Sequence, residues 1–159
     1  MIGFLRAVAL FIGAMFVQWW WNTHFAYWGA APQFLLVLTI IIAARRGPIL
    51  GMLAGFGWGL YLDVARAELF GARALTLTLT AYIVGVARRQ IDLRAAGPLA
   101  VTTFLATWAA FVAYGLLGLV FTRSFEWSGW IPVIMNPVLN AVVVTIAAVV
   151  WDVRGGRGS

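Results

Sequence analysis

The chain has 159 residues, of which 64% are hydrophobic and 10% charged, with a net charge of +6 and a mean hydropathy of +0.95. Soluble domains carry about 25% charged residues, so this composition excludes a water-soluble enzyme, a nucleic-acid-binding domain and a disordered segment, and leaves an integral membrane protein. The absence of cysteine also excludes disulfide scaffolds, thiol catalysis and thiolate metal sites.

Six apolar runs, at roughly 4–21, 28–44, 48–63, 72–88, 98–121 and 131–151, predict an all-α fold of six transmembrane helices in one bundle. A spanning helix needs about 20 apolar residues, whereas a barrel strand shows about 10 residues of alternating character. In the first run Arg6 is followed by an apolar stretch from Ala7 to Val17, which reads as a spanning helix, since a cleaved signal would release a soluble domain and none follows. The second ends at Arg45 and Arg46, which would cost ~5 kcal/mol or more at mid-membrane. Pro48 then suits the first turn of the third helix, where a missing N–H is harmless.

The third run carries the sharpest pattern. Gly47, Gly51, Gly55 and Gly59 recur every four residues, and Asp63 continues the row. Such a ridge lets another backbone approach closely, either within the bundle or as a groove for a partner's helix. At 1.5 Å per residue Asp63 lies ~24 Å from Gly47, near the outer rim of a ~30 Å hydrocarbon core. Arg73 opens the fourth run at that level and is the expected partner of Asp63 in a rim ion pair that closes the 64–71 connection.

The fourth run is polar for a membrane helix, with Thr76 and Thr80 on one face and Gly85 beyond them. The sixth places Asn136 and Asn140 one turn apart beside Pro137. Thr76, Thr80, Asn136 and Asn140 are expected either to form interhelical hydrogen bonds or to line an outward-facing polar cavity. Residues 1–153 form a single domain, and 154–159 a flexible cytoplasmic tail.

Eight arginines fall on the side of both termini and the loops at Arg45 and Arg89, against three (Arg66, Arg73 and Arg123) on the other. The positive-inside rule therefore puts both termini in the cytoplasm, and Trp19, Trp20, Trp21, Trp28, Trp127 and Trp130 form a belt on the outer side. All five acids sit at run ends or in loops, which argues against an ion-coupled transporter. His24 is the sole histidine, and Ser124, Ser128 and Ser159 have no His/Asp company, so no catalytic residue, metal ligand or cofactor is expected.

The stretch GMLAGFGWGLYLDVARAELFGARALTLTLTAYIVGVARR resembles the most recognisable segment of the rod shape-determining protein MreD family. The shared features are a Gly-rich helix closing in Leu-x-x-Asp (Gly55, Gly59, Leu60, Asp63), a short loop ending in Gly71, and a helix ending in Tyr82, Gly85, Arg88 and Arg89. The opening PQFLLVLTIIIAARRG and the Pro/Asn-bearing last helix fit as well. The resemblance implies a non-enzymatic inner-membrane scaffold of the bacterial elongation machinery. Its implied partners are the spanning helix of MreC, RodA, a class B penicillin-binding transpeptidase and, indirectly, MreB. It also implies a fold similar to the substrate-binding subunits of energy-coupling-factor vitamin transporters. The rival function is such a small-molecule-binding subunit, with a cavity near Asp63, Asn136 and Asn140.

Overall fold

The computed structural model describes residues 2–24, 31–65, 70–123 and 129–155, and all regular structure among them is helical. The helices are α1 (Ile2–His24), α2 (Phe34–Arg46), α3 (Pro48–Ala65), α4 (Ala72–Ala87), α5 (Ala96–Thr122) and α6 (Trp130–Gly155). α2, α3 and α4 pack on one another as a triplet, α5 and α6 pair as a hairpin, and α4 joins the two groups through α5. α1 packs mainly against α2.

The helix ends follow local chemistry. α2 stops at Arg45 and Arg46, and Gly47 takes φ 104° with its N–H on the Ala43 carbonyl at 3.1 Å. A positive φ suits glycine because no Cβ collides with the carbonyl. Pro48 then opens α3 immediately. Gly71, at φ 92°, turns the chain into α4, and Gly129, at φ 94°, precedes α6. The second helix is shorter than its apolar run: residues 31–33 are non-helical and α2 begins at Phe34, while 28–30 lie outside the described residues. At the other end, α6 runs on to Gly155, into the stretch read as tail, whose last residues 156–159 also lie outside the described ones.

The outer faces of α3, α5 and α6 are apolar, unlike those of a water-soluble bundle. Exposed positions of α5 from Val101 to Phe121, and of α6 from Trp130 to Val150, are all apolar. From Pro48 to Val64 the exposed residues of α3 are Ile49, Leu50, Leu53, Phe56, Gly57, Tyr61 and Val64. The interior combines apolar side chains such as Leu35, Ile40 and Leu99 with buried polar ones: Thr39, Thr103, Thr107 and Asn140 are each 0% exposed. Soluble monomers rarely expose apolar patches beyond a few hundred Å².

α5 and α6 are long and apolar enough to cross a membrane. A soluble core helix of that composition would be covered, yet just 17% of the most apolar stretch of α5 is buried inside the chain. The protein is therefore built to associate with a membrane. The buried threonines need no outside partner, because each hydroxyl donates to the carbonyl four residues earlier, as Thr39 does to Leu35 and Thr103 to Leu99, both at 2.8 Å.

Candidate functional site

The glycine ridge faces inward. A Cβ on Gly51 would sit 2.6 Å from the Ala43 Cβ of α2, and one on Gly55 would sit 2.8 Å from the Leu77 carbonyl oxygen of α4. A Cβ on Gly59 would run into the Ala74 main chain. Gly85 repeats the arrangement from α4, since its Cβ would lie 2.5 Å from the Cα of Pro48. Period four places all three α3 glycines on one face, and α2 and α4 close onto it backbone to backbone. In lipid, where apolar burial gives helices no preference for each other, such close packing holds them together. The ridge is thus the seam of the α2–α3–α4 triplet, and no room remains there for a partner's helix.

Asp63 sits at the end of that seam and is 1% exposed. Its Oδ2 accepts the main-chain N–H groups of Gly71 at 3.0 Å and Ala74 at 3.1 Å, and its Oδ1 accepts that of Arg73 at 3.1 Å. The first N–H groups of any helix lack intrahelical partners. Gly71, at the N-cap of α4, has no side chain to offer them. The carboxylate of α3 supplies the missing acceptor from a different helix, at the end where the helix dipole favours negative charge.

The expected rim ion pair is therefore corrected. Asp63 meets Arg73 through the peptide N–H, and the guanidinium lies over the Tyr114 ring of α5, 4.8 Å from its centroid. Cations favour such ring faces, and this contact ties α4 to the α5–α6 hairpin.

A second trans-cap serves α2. The Asn140 Oδ1 accepts the Gln33 N–H at 2.7 Å while its Nδ2 donates to the Thr107 hydroxyl at 3.1 Å. Asn136 Oδ1 accepts the Ala31 N–H at 3.0 Å. From α1, Gln18 Oε1 accepts the Phe34 N–H at 2.8 Å and Nε2 donates to the Pro32 carbonyl at 3.2 Å. Three side-chain amides from α1 and α6 thus satisfy the non-helical stretch 31–33 and the start of α2. Non-helical backbone away from water is stable only where protein supplies its hydrogen bonds.

Gln18 was not among the sequence candidates. Its signal is a lone amide inside the first apolar run. Asn140→Leu should lower thermal stability in detergent by about 1–3 kcal/mol, because it strands the Gln33 N–H. Asn140→Asp, which keeps that acceptor, should do less damage; equal melting of both variants would remove this cap from the account.

The cavity reading of these residues is corrected as well. Asn136 and Asn140 are buried, with their oxygens bonded to main chain, and the Thr76 and Thr80 hydroxyls bond back to the carbonyls of Ala72 and Thr76, both at 2.8 Å. A groove of about 440 Å³ does lie between the start of α4 and the end of α5. Its walls are Phe70, Gly71, Ala72, Leu75, Leu117, Phe121 and Thr122, so it includes none of the proposed cavity residues.

His24 stacks on Trp20, with ring centroids 4.3 Å apart, and its Nδ1 lies 3.1 Å from the Trp20 carbonyl oxygen. Among the described residues no cluster of three or more His, Cys, Asp or Glu could hold a metal. What this arrangement does chemically is join helices through main-chain caps.

Residues 1–152 match the family model of the rod shape-determining protein MreD. Neither a curated protein nor a solved structure matches the chain.

Proposed function

The chain belongs to the MreD family of rod shape-determining proteins, and on that premise we propose that it is a non-enzymatic scaffold of the bacterial cytoplasmic membrane. In this reading all six helices span, both termini are cytoplasmic, and the bundle holds the spanning helix of MreC. Through that contact it supports lateral peptidoglycan synthesis by RodA and a class B penicillin-binding transpeptidase, with MreB acting indirectly.

The observation that carries the reading is the division of labour between the faces of α3. Its glycine seam is closed within the chain, whereas its outer face is apolar and unpartnered among the described residues. On that outer face a Cβ added to Gly57 would meet nothing within 4 Å. MreC's helix would approach there, between Leu53 and Tyr61.

Co-purification of MreC with the tagged protein in mild detergent tests this. The unmodified chain should retain MreC. Gly57→Leu should fold normally but lose MreC roughly fivefold or more, since overpacking a close contact costs ~1–3 kcal/mol. Failure of the unmodified chain to retain MreC would defeat the scaffold reading. Normal retention by a folded Gly57→Leu variant would move the docking face elsewhere on the bundle.

A further inference from the structure

At the arginine-rich end, the α2–α3 connection is the single residue Gly47, which is buried. The Arg88 guanidinium lies directly over it: a Cβ there would be 3.5 Å from Nη1 and 3.6 Å from Cζ. One turn earlier Gly85 is locked against Pro48, so the end of α4 and the start of α3 form one corner. Arg46 immediately precedes this corner and Arg89 follows it.

Arg46, Arg88 and Arg89 are exposed, and among the described residues none of their side chains has a hydrogen-bonding or ionic partner. The nearby Asp92 accepts the main-chain N–H of Arg94 at 3.1 Å. Three arginines thus flank this corner with their guanidinium donors free. Beyond them begin the outer faces of α3 and α4, where Ile49, Leu50, Ile83 and Val86 are exposed.

We propose that this corner binds an anionic phospholipid. Arg46 and Arg88 hold its phosphate across Gly47, Arg89 adds charge, and the acyl chains lie along the outer faces of α3 and α4. Guanidinium groups suit phosphate because their fork of N–H donors matches its oxygens. A lipid fits better than a soluble acidic peptide because the surface next to the arginines is apolar on both helices, and a peptide would leave it bare. The geometry of Gly47 fits too: any side chain there would meet the guanidinium and would also be strained at φ 104°. The proposal rests on the membrane reading above.

The test is native mass spectrometry of the full chain, purified in a neutral detergent and titrated with phosphatidylglycerol or with phosphatidylcholine of the same acyl chains. Phosphatidylglycerol should bind at least tenfold more tightly. Arg46→Gln with Arg88→Gln should weaken it by about thirtyfold, which is about 2 kcal/mol, at about 1 kcal/mol per arginine. Arg123→Gln, at the end of α5, should change nothing. Elution profile and helicity verify folding, and Arg46→Gln alone, expected to lose about fivefold, serves if the double variant fails to fold.

Equal binding of the two lipids, or an unaffected double variant, overturns the site. Free glycerol phosphate binding as tightly as the lipid, or displacement of the lipid by a Glu-rich peptide at lower concentration, overturns the choice of a phospholipid. An alkaline carbonate wash of membranes is run alongside. Release of the unmodified chain defeats the membrane reading, whereas retention without lipid preference defeats the site alone.

Discussion

Asp63→Ala is expected to abolish folding or reduce it to a trace. The change leaves the N–H groups of Gly71, Arg73 and Ala74 without their acceptor in a place that is 1% exposed. A stranded buried donor costs about 1–3 kcal/mol; the Ala74 N–H is buried and those of Gly71 and Arg73 are part-buried, so the three together reach a large part of the ~5–15 kcal/mol that holds a domain folded. Asp63→Asn should be intermediate, because one carbonyl oxygen survives while the amide N–H₂ faces other donors.

Arg73→Gln should be mild, since the main-chain N–H that Asp63 binds survives any substitution and the loss is confined to the Tyr114 contact, about 0.5–2 kcal/mol. For the same reason Asp63→Arg combined with Arg73→Asp should not recover stability. Thermal unfolding in detergent, followed by circular dichroism, separates the accounts. Stable Asp63→Ala protein would remove the cap, and recovery in the charge-swapped variant would restore the side-chain ion pair.

Gly59→Ala is the second large effect expected. A single methyl at this position meets the Ala74 main chain, which has no rotamer to yield. α3 and α4 would have to separate at the point where Asp63 caps α4, so the packing and the cap weaken together. A cost at the upper end of the ~1–3 kcal/mol for overpacking follows. Gly55→Ala should come next, against the Leu77 carbonyl at 2.8 Å. Gly57→Ala, one position from a helical neighbour on the open face, should be neutral or slightly stabilising, because alanine favours helix by about 0.8–1.0 kcal/mol over glycine. The ranking of melting temperatures checks this. If Gly59→Ala melts with the unmodified protein, the seam is looser than its geometry.

A few features carried most of what could be read without coordinates. Long runs of apolar side chains in a chain with little charge leave the backbone no water to bond with, and helices satisfy it internally. The four-residue spacing of Gly51, Gly55 and Gly59 likewise marked a close helix contact, because that spacing keeps small residues on one helical face. Asp63 stood out as a carboxylate at the edge of an apolar run. These are properties of residue type and local period, so they are visible in a string of letters.

What stayed hidden were the partners. The glycine ridge could face a neighbour in the same bundle or another protein, and its period is identical in both cases. The sequence pairs Asp63 with Arg73, the arginine that opens the next helix at the same membrane level, yet its acceptor oxygens bind peptide N–H groups, which nearly every residue carries and no letter distinguishes. The start of α2 moved from 28 to 34 for the same reason: Asn136 bonds the Ala31 N–H across 105 residues of chain, and Gln18 and Asn140 complete the cap. A buried N–H is satisfied by whichever side chain the packing brings near. That proximity depends on how separate helices come together, so it belongs to the assembled bundle and not to any one segment of it.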